Sequence, residues 1–288
     1  MDIMSVLGLV IAFASLGIGY SIDGGNVGAL WLLSAMIIVA GGSVGSVFVS
    51  YGLDHIKRMP HLFFSLFKEP KQSMSDTIDF LVKLSENARK DGILSLEKII
   101  DNEEATGHID PFLKSGIMMV IDGADLEQIK SYLETDIAVT EQKTASEISM
   151  FDSMAAFAPA YGMIGTIMGL IQVLANMESP ESMAAAIAVA FITTLYGVVI
   201  ANAFCSPASN KLRMRLEYSQ TIKEMIIEGI CGIRNGDNPK ILRERLSPYL
   251  IYTAATKAGS GEKGNAEKGK AEKGKAEKRE AKSKQRKN

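Results

Sequence analysis

All 31 Lys and Arg residues of this 288-residue chain lie in two blocks, residues 57–143 and 211–288; the stretches 1–56 and 144–210 contain none. A helix needs about 20 apolar residues to cross a bilayer, so each basic-free stretch is too long for one crossing and long enough for two. Each is divided near its middle by a turn, Asp23-Gly24-Gly25-Asn26 in the first and Glu178-Ser179-Pro180-Glu181 in the second. Two transmembrane hairpins follow, with spans over residues 3–22, 27–53, 153–177 and 182–210. The expected fold is all-α: a polytopic membrane protein with four transmembrane helices and a helical cytoplasmic domain.

Basic residues flanking a span stay on the cytoplasmic side, so Lys57, Arg58, Lys143, Lys211, Arg213 and Arg215 place both basic blocks, and both termini, in the cytoplasm. The acidic turns then face outward, and almost no protein lies outside the membrane. Met1-Asp2-Ile3-Met4 lacks the basic start of a signal peptide and leads into a full-length span, so the first segment is expected to be retained. Cys205 and Cys231 fall in or beside the cytoplasmic side without a second Cys or His at metal-ligand spacing, which argues against disulfide and zinc roles.

The chain divides into a first hairpin (1–54), a cytoplasmic block (55–146), a second hairpin (147–210), a cytoplasmic extension (211–250) and a tail (251–288). Apolar residues of the block recur at helical spacing. Helices are expected over 76–88, from about Ile93 carrying Leu94, Leu96, Ile99 and Ile100, over 109–122, and over 126–145 running on into the third span. In the first of these, Ile78, Leu81 and Val82 form a stripe that polar Ser85 interrupts. Residues 211–232 continue the fourth span below the membrane, and 233–250 form a short terminal unit. Residues 261–278 repeat Ala-Glu-Lys-Gly-Lys with no apolar residue larger than Ala, so the tail cannot bury a core and is expected to be disordered.

No Asp, Glu, Lys, Arg or His lies inside any of the four spans, although an ionisable residue there is the usual mark of an ion relay. The spans carry instead hydroxyls, Thr166 in the third and Thr193 and Thr194 in the fourth, and the small-residue steps Gly41-x-x-x-Gly45 and Gly165-x-x-x-Gly169. A membrane Thr ordinarily bonds a carbonyl one turn back in its own helix, and small-residue steps occur in many unrelated bundles. Pro159 and Pro207 are more telling, because each removes a backbone hydrogen bond within or at the end of a span.

These residues resemble a known family, the MotA and PomA subunits of bacterial flagellar stators, distant relatives of ExbB and TolQ. The resemblance rests on Ala158-Pro159-Ala160-Tyr161-Gly162-Met163-Ile164-Gly165-Thr166, on Thr193-Thr194-Leu195-Tyr196-Gly197 with Ser206-Pro207, on Arg89-Lys90-Asp91-Gly92-Ile93-Leu94-Ser95-Leu96-Glu97, and on Gly236-Asp237-Asn238-Pro239 with Leu242 and Leu246. It implies a location in the bacterial inner membrane and five copies in a ring around two copies of a MotB- or PomB-like single-pass partner. The partner's membrane Asp would bind the translocated cation, which accounts for the missing carboxylate here. It further implies that Arg89 and Glu97 engage the rotor protein FliG, and that Pro159 and Pro207 couple ion passage to movement. Thr166, Thr193 and Thr194 match hydroxyl positions of the sodium-driven branch, which favours Na+ over H+ without excluding the proton.

Two other readings stay open: an ExbB- or TolQ-like energiser of envelope processes, and a membrane scaffold or channel that does not rotate. Four spans, two of them before the cytoplasmic block, match the MotA-like branch. An enzyme is disfavoured, since His55, His61 and His108 are not grouped with acids or Cys at catalytic spacing and no Gly-rich phosphate loop follows a strand. No cofactor and no nucleic-acid partner is implied.

Overall fold

The computed structural model describes residues 3–68, 73–105, 109–175 and 180–259, the side chains of 103–105 and 251–259 excepted. Among the described residues there is no strand. In chain order the helices are α1 (Ile3–Ile22), α2 (Leu33–Ser50), α3 (Leu53–Ser65), α4 (Met74–Asp91), α5 (Ser95–Ala105), α6 (Pro111–Ile121), α7 (Leu126–Ala175), α8 (Pro180–Asn235) and α9 (Pro239–Gly259). Four of them, α1, α2, α7 and α8, are long and apolar enough to cross a membrane. The expected helix over 126–145 does run on into the third span, giving a single 50-residue helix of about 75 Å at 1.5 Å per residue.

The second span is shorter than the apolar run 27–53. Residues Val27–Leu30 form a 3-10 turn, entered through Asn26, whose side chain accepts a hydrogen bond from the Gly28 N–H. Leu32 is then extended, and α2 starts at Leu33. At its other end Tyr51 is extended and stops the helix at Ser50. Within α2, residues Ile37–Gly41 make a π-helical turn, and Ile200–Cys205 make another in α8, two residues before Pro207. Such turns widen a helix by one residue and shift its hydrogen-bond register.

The chain packs as two compact units. One comprises the described residues of Met1–Lys71 and Thr135–Gln220. Its core includes Ala35 and Val39 of α2, Ala158 of α7, and Ala186, Ala190 and Ala201 of α8, with a second cluster of Leu66, Ile148, Phe151, Ala208 and Leu212. Helix α3 runs alongside that cluster through Met59, Leu62 and Phe63. Arg58 of α3 pairs at 2.9 Å with the almost fully buried carboxylate of Glu147. Arg215 donates to the carbonyls of Leu66 at 2.9 Å and Lys68 at 2.6 Å, satisfying acceptors that the end of α3 leaves without helical partners.

The other unit comprises the described residues of Gln72–Glu134 and Thr221–Asn288. Its core draws on Ile78, Leu81 and Leu84 of α4, Leu96 and Ile100 of α5, Ile117 of α6, Ile129 and Leu133 of α7, Ile226 and Ile230 of α8, and Leu242 and Leu246 of α9. Ser85 does not interrupt the stripe of α4: it is buried, and its hydroxyl donates to the Asp237 carbonyl at 3.3 Å. Leu94 also departs from expectation. Helix α5 opens only at Ser95, whose hydroxyl bonds the Gly92 carbonyl at 2.6 Å, and Leu94 is left 70% exposed. Helix α6 starts on an Asp110 cap with Pro111 in its first turn, and the chain turns at Gly123 as its position suggests. Helix α9 continues to Gly259. The expected disordered segment beyond it, the outward turn at 178–179 and His108 lie outside the described residues.

Candidate functional site

The third and fourth spans meet along a seam of small residues. A Cβ placed on Gly197 would lie 2.6 Å from the Ala158 carbonyl oxygen and 3.1 Å from Pro159 Cα. One placed on Gly162 would lie 3.1 Å from the Thr193 oxygen, and one on Gly169 would lie 2.9 Å from the Ala186 oxygen. Only hydrogen at these positions lets the two backbones come so close. The Gly165-x-x-x-Gly169 step is therefore part of the seam. Gly41 and Gly45 are not part of any such contact, having nothing within reach of an added Cβ; the ring of Tyr161 packs on Gly42 between them.

The seam brings the three hydroxyls together. Thr166 Oγ1 of α7 crosses to the Ala190 carbonyl of α8 at 3.0 Å and touches Thr194 Oγ1, while keeping a bond of 3.1 Å to Gly162 O in its own helix. Thr194 Oγ1 lies 3.4 Å from the same Ala190 oxygen. Thr193 Oγ1 lies 2.8 Å from it and 3.0 Å from Val189 O. All three therefore converge on the Ala190 carbonyl, but they are not equivalent. Thr193 is fully buried and fits against Gly165, where an added Cβ would sit 2.7 Å from Thr193 Cβ. Thr166 and Thr194 are half-buried, whereas Thr193 is closed off.

The two prolines occupy different settings. Pro159 lies inside the unbroken helix α7, where it denies the Ala155 carbonyl its usual donor, and it stands opposite Gly197. Pro207 follows the π-helical turn of α8, in which the Ser206 N–H reaches back to Ala201 O, and it is exposed.

Three tyrosines to which the sequence analysis assigns no role, two of them within the quoted motifs, stitch α2 and its flanks to the other spans. Tyr161 shares a hydrogen bond of 2.9 Å with Ser46. Tyr51 donates to Ser149 O at 2.9 Å and lies 2.7 Å from Ser153 Oγ. Tyr196 donates to Leu30 O at 2.7 Å and accepts from the Leu32 N–H at 3.2 Å, closing the break between the 3-10 turn and α2. The available signal was a phenol within or at the end of an apolar run, where its O–H needs a partner.

In the other unit, Arg89 occupies the last turn of α4 and Glu97 the first turn of α5, positions where a cation and an anion respectively complement the helix dipole. Gly92 joins the helices at φ 86°, a backbone that a side chain would strain. Both charged side chains are exposed, with exposed Leu94 between them in sequence, and among the described residues neither has an ion-pair partner. Among the described residues no group of three His, Cys, Asp or Glu is placed to hold a metal ion.

Residues 104–225 match the model of the MotA/TolQ/ExbB proton channel family, and residues 6–92 match that of the Motility protein A N-terminal region. The chain is 36% identical over 252 residues to Motility protein A of Borreliella burgdorferi, covering 87% of this chain and 94% of that protein. Its fold matches the solved C. jejuni MotAB structure with a TM-score of 0.81 at 28% identity, over 86% of this chain and 96% of that one. It matches the flagellar MotAB stator complex of Bacillus subtilis with a TM-score of 0.79 at 29% identity, over 88% and 97%.

Proposed function

Because the chain belongs to the Motility protein A family of flagellar stator subunits, within the MotA/TolQ/ExbB proton channel family, we propose that it forms a ring around a MotB-like partner and converts cation flow across the inner membrane into torque. The structures it matches are of MotAB complexes, which supports a partner of that kind. A ring of copies, five by resemblance, is supported by the apolar face that α7 leaves uncovered, with Met163, Ile167, Ile171 and Leu174 each more than half exposed. The match along both hairpins favours a stator over an ExbB- or TolQ-like energiser, and both termini are assigned to the cytoplasm.

The observation that carries the ion-path reading is the meeting of Thr166 and Thr194 oxygens beside the Ala190 carbonyl. Hydroxyl and carbonyl oxygens suit a hard, partly dehydrated cation, and we assign Na+ as the translocated ion, with the ionised carboxylate supplied by the partner. One charge crossing about 100 mV releases roughly 2.3 kcal/mol, enough to drive a small rotation step. Pro159 and Pro207 give the inner spans two packings to move between, and the Arg89 and Glu97 surface pushes the rotor protein FliG.

The test is swimming. The chain is expressed with a MotB-like partner in flagellated cells lacking their own stator, and speed is recorded as sodium replaces potassium at fixed pH. Speed rising with sodium supports the assignment. Swimming indifferent to sodium assigns the proton instead, and no swimming despite a verified membrane complex returns the weight to the energiser or scaffold.

A further inference from the structure

Helix α1 fully buries none of its 20 residues, and although Phe13 packs against Phe204 of α8, most of this span faces whatever surrounds the protein. Against its N-terminal half lies a half-open cavity of about 350 Å³, walled by Phe63 and Phe67 at the end of α3 and by Phe204 and Pro207 of α8. That volume is at the lower end of the roughly 300–1,000 Å³ typical of ligand pockets. The lining is apolar apart from Ser5, Asn202 and Lys211, and it includes no Asp or Glu. Lys211 is the first Lys or Arg after residue 143, and its amine donates to Ser5 Oγ, which ties a cation to the start of α1.

A half-open, mostly apolar cavity with a cation where the chain leaves the membrane suits an acyl chain joined to an anionic headgroup. We propose that the cavity takes one acyl chain of an anionic phospholipid, with the phosphate at Lys211. The argument rests on the inner-membrane placement proposed above, which puts Lys211 at the cytoplasmic leaflet, where anionic lipids attract basic residues. The medium bathing α1 is then lipid, and an apolar cavity open to it is within reach of the surrounding acyl chains. The acyl chain lies against Pro207 and next to the π-helical turn Ile200–Cys205, so the site takes a lipid at the point where α8 changes its hydrogen-bond register.

The test uses the full chain with its partner in lipid nanodiscs containing phosphatidylglycerol or phosphatidylcholine that carries a photoactivatable diazirine in the acyl chain. Crosslinks are mapped by peptide mass spectrometry. Phosphatidylglycerol should label the peptides bearing Phe63 and Phe204 several-fold more than other lipid-facing peptides. Ala12→Trp, which fills the cavity from α1, should reduce that labelling at least fivefold with the assembly intact. Lys211→Gln should leave acyl labelling in place while bringing the preference for phosphatidylglycerol over phosphatidylcholine close to one. Uniform labelling along all lipid-facing helices, unchanged labelling in Ala12→Trp, or crosslinks from a diazirine amino acid at position 63 to a second copy of the chain would each overturn the proposal. Labelling is read without motility, so a stator that fails to swim and a slot that fails to take lipid are separate results.

Discussion

At the scale of single residues, the seam between the third and fourth spans depends on what is missing from a side chain. Gly197 is the tightest case, since a methyl there would meet the Ala158 oxygen at 2.6 Å. Gly197→Val should lower stability by about 1–3 kcal/mol, the usual cost of overpacking, seen as a lower thermal midpoint in detergent, whereas Gly41→Ala, in open space, should melt like the parent. Cys231 offers a second check. Burial, and secondarily the Glu228 carboxylate, push its thiol above the ordinary range. Below the ordinary thiol value of about 8.5 the group is protonated folded or unfolded. Its contribution to stability is therefore fully present there and is lost as pH rises beyond, where the unfolded chain ionises more readily. Because the thiolate is the reactive form, alkylation at pH 8.5 should be several-fold slower in the native protein than in urea, and equal rates would contradict this burial. Single residues were also where sequence reading was weakest. Polar Ser85 reads as a gap in a stripe, and only the packed chain supplies the Asp237 carbonyl that makes its burial tolerable. Leu94 reads as core because it continues an apolar run, but the turn that Ser95 makes onto Gly92 starts the helix one residue too late to carry it inward.

At the scale of elements, charge-free length and helical spacing made α1, α7 and α8 legible, because a bilayer-length apolar run has few other solutions. The π-helical turns in α2 and α8 and the 3-10 turn before α2 were not legible. Nothing in the run 27–53 breaks its hydrophobicity, and the break is held by Tyr196, 164 residues from Leu32 in sequence. Pro159 and Pro207 were found as prolines, but their settings differ in a way that only the helix geometry reveals. Replacing an interior proline restores a hydrogen bond and removes a cost of about 3 kcal/mol. Pro159→Ala should thus melt no lower than the parent and still assemble with its partner, yet lose swimming. Retained swimming at parental speed would show that α7 does not need its proline to work.

For the molecule as a whole, the distribution of Lys and Arg was enough to assign four spans, while linear reading cut the chain into contiguous pieces. Packing joins distant stretches instead: residues 72–134 form one unit with the chain after 221, so Leu81 and Ile100 share a core with Ile226 and Leu242. The family resemblance came from short motifs, and those motifs turn out to be the seam with its prolines, the α4–α5 turn and the turn from α8 into α9. If that turn meets the rotor, its charges act together. Exposed ion pairs contribute about 0–1 kcal/mol each, so Arg89→Glu or Glu97→Lys should weaken binding of the purified complex to FliG several-fold at low salt, and the difference should shrink as salt rises. Equal affinity for parent and variants at every salt concentration would remove Arg89 and Glu97 from the contact.

The Ala190 carbonyl has a further consequence. Three hydroxyls share it, and two of them keep a second acceptor, Gly162 O for Thr166 and Val189 O for Thr193, while Thr194 has the Thr166 oxygen. Proton donors thus outnumber seats at the shared acceptor, yet every donor has somewhere else to sit. The group can trade partners by spinning O–H bonds alone, so its dipoles can reorient on the spot, and the membrane interior gains a small polarisable patch without burying an ionised side chain.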